Sequence, residues 1–257
     1  MYNVVIVGNG SWAQIYKSTI QKSFPNINLI SANRPNWKSQ IDNKPDGIIV
    51  CTPPQSHIEI SSYALEKSIP VMCEKPLSLS LKEAEILKQY NAPILVNHIH
   101  LFSSQYQKLK HDINNHNLNY IRTIGQGNTQ RDYNQLWDYG PHDISMILDL
   151  STQYPKDVKC DKINDGCYGI TLEFDHFSSH SIVGLGAKKR SFITSTNYGI
   201  FEYSDRFPIN DLPLTNAIQV LIDTLDGKKD YRLGLDLSLN VLRVLENCEK
   251  DLLKKQS

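Results

Sequence analysis

VVIVGNGSWA, residues 4–13, gives the clearest indication of how the chain begins to fold. A β-branched apolar run ends in two glycines, and a helical pattern follows from Trp12 to Phe24. A strand, a glycine turn and a helix in this order are typical of the first βα unit of a parallel sheet, where a pyrophosphate binds at the helix N-terminus. The alternative is a glycine turn that binds no ligand. The predicted contacts with a dinucleotide are Gly8, Gly10, Ser11, Trp12 and Ala13.

Four more short apolar runs before residue 100 are rich in Val and Ile and too short to be helices. They are INLIS (27–31), GIIVC (47–51), PVMC (70–73) and PILV (93–96). Helical patterns at His57–Lys67 and Ser80–Tyr90 separate the later ones, and this alternation predicts a doubly wound parallel sheet. The segment between Ser31 and Gly47 is short, so we expect one turn of helix there, or none.

The pattern changes after about residue 115, where β-branched and alternating segments predict an antiparallel meander. One helix interrupts it at WDYGPHDISMILDL, residues 137–150, with Pro141 expected in the first helical turn. Two helices near 215–225 and 234–253 close the chain. The predicted fold class is α/β: a doubly wound parallel sheet in residues 1–115, then an α+β domain with an open, mainly antiparallel sheet in residues 116–257.

Charge and cysteine content exclude several function classes. Lys plus Arg equals Asp plus Glu at 27 each, so no excess of positive charge indicates nucleic acid or an anionic membrane as a partner. The five cysteines form no C-x-x-C pair, which favours a reduced, cytoplasmic protein over a disulfide framework or a zinc finger. The chain enters its first strand after three residues, so we expect no leader peptide, and we expect no membrane span.

Polar residues follow several predicted strands, at the sheet edge where such folds bind their ligands. The second strand ends without an acid, and Asn33 and Arg34 follow it, which favours NADP over NAD because an arginine accommodates the 2′-phosphate. Arg34 as a solvated loop residue is the alternative. The segment CTPPQSH supplies Thr52, Pro53, Pro54 and His57, the last of which is either a ligand contact or a helix-start residue bonded to the backbone.

Three further groups of residues have the side chains needed for catalysis or metal binding. Glu74, Lys75 and Pro76 follow the fourth strand, and a residue before proline is held extended, so Lys75 can stabilise an oxyanion. Asp138 and His142 are four residues apart, which can bring a carboxylate beside an imidazole, although a helix cap and a surface pair are the alternative. His98-x-His100 makes a metal site conceivable, but we predict none.

The motifs G-x-G-x-x-A, TPPQSH, CEKPLS, VNHIHLF and DYGPHDISMILDL occur in the order found in one family. The chain resembles the Gfo/Idh/MocA oxidoreductases, named for glucose-fructose oxidoreductase and inositol dehydrogenase. The resemblance covers nearly the whole chain, because RSFITSTNYGIFEY also looks like the family's late hairpin. The E-K-P and D-x-G-x-H elements are its most specific marks.

The resemblance implies a Rossmann domain, a second domain whose open sheet often mediates oligomers, and an active site between them. It implies that Glu74 contacts the nicotinamide ribose and that Lys75 lies beside the reacting carbon. Asp138 and His142 would line the substrate side, with His142 as general acid/base. Asn97 matches a polar residue near the substrate, but the arginine usual in that segment is missing here.

These expectations together predict an enzyme that transfers a hydride between NADP, or NAD, and a secondary alcohol or ketone of a sugar or nucleotide sugar. A role in surface polysaccharide synthesis and a homo-oligomeric state, a dimer or a tetramer, are part of the prediction. One alternative is a non-catalytic, dinucleotide-binding regulator that senses redox state. Another is a zinc hydrolase built on the histidines.

Overall fold

The computed structural model describes residues 1–113, 118–186, 189–197, 199–204, 212–228, 232 and 234–255. The chain forms two compact units. The first comprises Met1–Ile99 and Leu212–Leu239, and the second comprises His100–Asp211 and Asn240–Ser257. Both units are discontinuous in sequence, whereas the predicted domains 1–115 and 116–257 are continuous. The assignment of cofactor and substrate roles to those two domains stays a prediction.

The first unit is built on a parallel sheet of five strands in the order β2-β1-β3-β4-β5. The strands are β1 (Tyr2–Val7), β2 (Ile27–Ala32), β3 (Gly47–Val50), β4 (Val71–Glu74) and β5 (Ile94–Asn97). Every residue of β3, β4 and β5 is buried, as expected for strands covered on both faces. The strand order reverses at β1 and β3, which is where doubly wound sheets bind ligands.

The helices of the described chain agree with most of the predicted positions. They are α1 (Ser11–Ser23), α2 (Trp37–Asp42), α3 (His57–Leu65), α4 (Leu81–Glu85), α5 (Ser104–Asp112), α6 (Gln135–Ser151), α7 (Pro213–Leu225) and α8 (Leu235–Lys254). Short 3₁₀ turns occur at Pro54–Ser56, Ile86–Gln89 and Ile99–Phe102. The helix α2 has six residues, slightly more than the single turn expected for the short second crossover. None of the helices in the described ranges is long and apolar enough to cross a membrane.

The helix α6 corrects one prediction. Pro141 lies inside the helix and not in its first turn, because α6 begins at Gln135. Its start is set by Asn134, whose side-chain oxygen accepts a hydrogen bond from the backbone N–H of Leu136 at 2.9 Å. The consequence is that Asp138 and His142 both lie on regular helix.

The second unit contains a six-stranded sheet in the order β11-β10-β6-β9-β8-β7. Its strands are β6 (Leu118–Gly127), β7 (Asp157–Asn164), β8 (Cys167–Glu173), β9 (Ser178–Leu185), β10 (Lys189–Thr196) and β11 (Gly199–Ser204). The predicted antiparallel meander is wrong at one place: β6 lies between β10 and β9 and runs parallel to β9. The sheet is therefore mixed, although its other pairs are antiparallel.

One face of this sheet is covered by α6, which packs against β6 and β9. Gly125 of β6 permits a close approach there, because a β-carbon at this position would come within 2.2 Å of the Asp143 carboxylate. The opposite face carries Tyr120, Arg122 and His180, and the first and last of these rings lie 5.6 Å apart. That second face is called the open face below.

Candidate functional site

The glycine turn after β1 has the geometry that the sequence predicts. Gly8 has φ +129, and a β-carbon there would come within 2.5 Å of the Cys51 carbonyl oxygen, so only glycine fits. At Gly10, the N-cap of α1, a β-carbon would meet no atom within 4 Å. The space beside Gly10 is therefore open, and the first backbone N–H groups of a helix, which have no intrahelical partner, suit a pyrophosphate.

The turn after β2 exposes the predicted phosphate ligand. Arg34 is exposed, and the backbone around it is fixed by Asn33 and Asn36. The N–H of Asn33 donates to the side chain of Asn36 at 2.9 Å, and its carbonyl accepts from the backbone of Asn36 at 3.1 Å. The guanidinium thus extends from an ordered turn at the carboxyl edge of the sheet.

The segment after β3 is tied to the E-K-P segment through His57. This ring is buried, with Nε2 at 2.8 Å from the Thr52 carbonyl oxygen and Nδ1 at 2.9 Å from that of Pro76. Burial lowers the pKa of His57, and a neutral imidazole has one N–H, which it can donate to either carbonyl. His57 therefore lies between two ligand-edge loops and donates to the backbone of one of them at a time, which is the backbone-bonded role that the sequence left open.

Glu74 ends β4 and is buried, with 6% of its surface exposed. Its Oε1 accepts hydrogen bonds from the Tyr16 hydroxyl at 2.8 Å and from the Asn97 amide at 2.7 Å. Burial raises the pKa of the Glu74 carboxyl, and the hydrogen bonds from Asn97, Tyr16 and Trp12 oppose this. Lys75 follows, joined to Pro76 by a cis peptide bond, and is partly exposed.

His98 and His100 have different partners. His98 is buried, its Nε2 lies 3.0 Å from the Ser238 hydroxyl, and burial together with the nearby Lys75 charge lowers its pKa to about 3. The ring of His100 packs edge-to-face against that of His142, with centroids 4.7 Å apart and planes at 87°. Among the described residues, no group of three or more His, Cys, Asp or Glu side chains could hold a metal ion.

In the second unit Asp138 is buried and has two partners that the sequence did not indicate. Arg131 Nε donates to its Oδ2 at 3.2 Å, and the Tyr133 hydroxyl lies 3.4 Å from its Oδ1. Burial, and then the Asp138 charge, raise the pKa of Tyr133. The arrangement places the positive charge of Arg131 beside the Asp138 carboxylate, one turn of α6 before His142.

The structure brings the predicted residues together in two groups. The first unit holds the residues at the carboxyl edge of the parallel sheet, including Glu74, Lys75 and Asn97, and the second holds Asp138 and His142. Sequence reasoning missed Tyr16. The available signal was its place one turn after Trp12, on the buried face of α1, because a buried tyrosine hydroxyl needs a polar partner.

Comparisons with known proteins agree with this architecture. The sequence matches the family model described as "Oxidoreductase family, NAD-binding Rossmann fold" over residues 34–92. The rhizopine catabolism protein MocA of Rhizobium meliloti is 24% identical over 72 residues. That alignment spans 26% of this chain and 23% of that protein, so the chain covers under a quarter of its relative.

Solved structures cover nearly the whole chain. Scyllo-inositol dehydrogenase of Lactobacillus casei, with bound NAD(H) and scyllo-inositol, gives a TM-score of 0.87 at 12% identity, covering 99% of this chain and 98% of that one. UDP-N-acetylglucosamine 3-dehydrogenase of Acidithiobacillus ferrooxidans gives 0.80 at 12% identity, covering 97% of both chains. Identities this low show a shared fold. Together with the sequence matches, they confirm the predicted fold class and the resemblance to the Gfo/Idh/MocA oxidoreductases.

Proposed function

We propose that this protein is a nicotinamide-dependent oxidoreductase that acts on a secondary alcohol or ketone of a sugar or nucleotide sugar. The observation that carries the proposal is the buried Glu74 carboxylate, which lies next to Lys75 at the ligand edge of the parallel sheet, in the same unit as the Gly8 turn. Burying a carboxylate requires hydrogen-bond partners to offset its desolvation, and carboxyls with perturbed pKa values concentrate at functional sites.

The first unit fits a dinucleotide. The Gly8 turn, the open N-terminus of α1 and the TPP segment braced by His57 supply a pyrophosphate site and its walls. When bound, the nicotinamide ring accepts or gives the hydride. We propose NADP as the preferred cofactor over NAD, because Arg34 is exposed at the end of β2 where an acid would bind the ribose of NAD.

The proposed catalytic groups have separate roles in proton transfer and in charge stabilisation. In the oxidation direction His142 accepts the proton of the substrate hydroxyl, and Asp138 stabilises the resulting imidazolium. The ammonium of Lys75 stabilises the negative charge that develops on the substrate oxygen. The carbon gives up its hydride and becomes a carbonyl, and reduction reverses each step.

We propose a sugar or nucleotide sugar as the substrate, with a role in surface polysaccharide synthesis. Support comes from the sugar-like substrates that the names of the two dehydrogenases state. A cytoplasmic location is also proposed, since all five cysteines are free thiols. We further propose that the protein forms a homo-oligomer, a dimer or tetramer, through the open face.

Cofactor binding is the first experimental test. NADPH should raise the melting temperature of the protein more than NADH does, and Arg34→Ala should abolish that difference while leaving the NADH shift intact. No shift with either nucleotide would refute the proposed function. An equal shift with both, unchanged in Arg34→Ala, would refute the NADP preference alone.

Turnover is the second test. A screen of sugars and nucleotide sugars for a change in reduced-nicotinamide absorbance identifies the substrate, and variants are then compared on it. His142→Ala and Lys75→Ala should each lower kcat by about 10² to 10⁴, the usual worth of a positioned acid/base group. His176→Ala, at an exposed histidine of the β8–β9 turn, is the control and should keep the wild-type rate. Wild-type rates in both active-site variants would show that the assigned roles are wrong.

A further inference from the structure

One buried polar group of the first unit is a set of three side chains from three elements. Tyr16 comes from α1, Glu74 from the end of β4 and Asn97 from the end of β5, where it pairs in register with Glu74. Tyr16 and Asn97 are fully buried. The Asn97 amide nitrogen is 2.6 Å from the Tyr16 hydroxyl oxygen, so all three side chains are in mutual contact. We call this set the Tyr16–Glu74–Asn97 cluster.

The hydrogen-bond directions in the cluster follow from its chemistry. A carboxylate only accepts, so both groups that face Glu74 Oε1 must donate: the hydroxyl of Tyr16 and the NH₂ of Asn97. This fixes the orientation of the Asn97 amide, whose Oδ1 then has no hydrogen-bond partner among the described residues. A buried acceptor left unpaired destabilises the folded protein, because its desolvation is not compensated. A donor from a bound ligand would remove that cost.

The same directions make the charge of Glu74 depend on Tyr16. Burial raises the pKa of the Glu74 carboxyl, and the donors lower it because they bond to the ionised form. The titratable groups that act on the carboxyl are Tyr16 from α1, Cys51 after β3, Cys73 of β4 and Lys75. Loss of the Tyr16 hydroxyl removes one donor and leaves the burial unchanged.

We propose that Tyr16 is a positioning residue for the cofactor: with Asn97 it holds Glu74 Oε1, so that the carboxylate presents Oε2 to a hydroxyl of the bound dinucleotide. The proposal rests on the proposed function, because it assumes that a nicotinamide dinucleotide is the ligand. It adds a residue outside the predicted contacts, and it gives Asn97 a role as a holder of Glu74 whose Oδ1 can accept a donor from the same ligand.

A double-mutant cycle with NADH and NADPH as probes tests this. Tyr16→Phe keeps the ring and removes only the hydroxyl, and it should weaken binding of the better nucleotide about tenfold, the loss expected for one hydrogen bond to a charged group. Glu74→Gln should also weaken binding. In the Glu74→Gln background, Tyr16→Phe should change the affinity less than about twofold, because the charge through which Tyr16 acts is gone. Additive losses, or unchanged affinity in Tyr16→Phe alone, would overturn the proposal.

The pH profile gives a readout that simple loss of packing does not move. Binding that needs ionised Glu74 is lost as pH falls through the pKa of Glu74, so the loss should occur at higher pH in Tyr16→Phe than in wild type. Glu74→Gln should lack this step. Identical profiles in wild type and Tyr16→Phe would also overturn the proposal.

Two controls separate the possible failures. Tyr90→Phe removes a hydroxyl that donates to Glu66 at 3.1 Å at the surface of the same unit, and it should bind as wild type does. If Tyr16→Phe does not fold, Asn97→Ala, which removes the other donor to Oε1, should weaken binding more in the wild-type background than in the Glu74→Gln background; equal losses in both would overturn the proposal. If the wild-type protein binds neither nucleotide, the proposed function is refuted and this proposal with it. If the wild-type protein binds a nucleotide and Tyr16→Phe binds it equally well, this proposal alone is refuted.

Discussion

Buried polar side chains determine what single residues do in this protein. His57, Glu74 and His98 are each almost fully enclosed, and each has a hydrogen-bond partner that is distant in sequence. A buried polar group without a partner costs more than a hydrogen bond contributes, so such partners are part of the fold as well as of the site. At this scale two substitutions have clear expected outcomes.

Gly8→Ala should lower the free energy of unfolding by about 3 kcal/mol, because an alanine would be strained at positive φ and would clash with the Cys51 carbonyl. Gly10→Ala is the matched control: its added methyl meets no atom, so its unfolding free energy should stay within about 1 kcal/mol of wild type. Urea denaturation of both variants measures the difference. Equal stability of the two would contradict the role given to Gly8.

Because His98 is buried, we expect the stability of the protein to decrease in acid. The imidazole titrates near 6.5 in an unfolded chain and at about 3 in the folded one, so between these values only the unfolded chain binds the proton. The unfolding free energy therefore decreases as the pH is lowered, by about 2 kcal/mol between about pH 7.5 and about pH 5. His57, whose pKa burial also lowers, acts in the same direction.

Chemical denaturation at both pH values checks this in His98→Asn and in His176→Asn. In the first variant the unfolding free energy should depend much less on pH, because the contribution of His98, about 2 kcal/mol, is removed. The second, at an exposed residue, should keep the wild-type dependence. The same pH dependence in His98→Asn as in wild type would show that His98 does not carry it.

Among the elements, α6 shows where sequence patterns are insufficient. A proline favours the first turn of a helix, and on that basis Pro141 marks the start of α6. The structure instead starts α6 at Gln135, because Asn134 caps it and the buried face of Leu136 and Trp137 packs into the core. Packing of this face offsets the hydrogen bond that an internal proline removes.

Asn134→Ala should lower the free energy of unfolding by about 1 kcal/mol, because the backbone N–H of Leu136 loses its acceptor. Asn134→Ser keeps a good N-cap and should stay within about 0.5 kcal/mol of wild type. Thermal and urea unfolding measure both. If the two variants are equally destabilised, the cap is not what sets the start of α6.

For the whole molecule, strand order and chain return are the features that local patterns do not encode. The segment Leu212–Leu239 belongs to the first unit, where α7 packs against α1 and a β-carbon at Gly47 would meet the Leu225 side chain at 3.3 Å. In the second unit β6 pairs with β9 and β10, which are far from it in sequence. A strand's own residues set its alternation of faces, but several neighbours can satisfy the same alternation.

The prediction for the whole molecule concerns its oligomeric state. Ile163 and Ile200 lie on the open face with 52% and 76% of their surface exposed. Ile163→Lys combined with Ile200→Lys should convert the oligomer to a monomer, because charges would be buried in the interface. Light scattering after size-exclusion chromatography measures the mass. Ile86→Lys, at a 50% exposed isoleucine of the first unit, should leave the oligomer intact; a monomeric wild type would refute the proposal.

Features that depend on residues close together along the chain can be predicted from the sequence. The β1–Gly8–α1 unit, the runs that became β3 to β5, the helices α3 and α7, and the part of α6 after Pro141 follow from apolar period and turn residues within a short window. The predicted positions of Glu74, Lys75 and Asn97 at strand ends follow as well, since the carboxyl ends of parallel strands share one edge.

Which side chains act together depends on the three-dimensional packing of distant elements. Tyr16 reaches Glu74 across 58 positions in sequence, His98 reaches Ser238 across 140, and β6 pairs in parallel with β9. Such pairings arise because burying a polar group or a strand edge requires a partner, and the chain finds that partner wherever the core places it. Residue patterns indicate that a buried group requires a hydrogen-bonding partner. The packing of distant elements determines which residue that partner is.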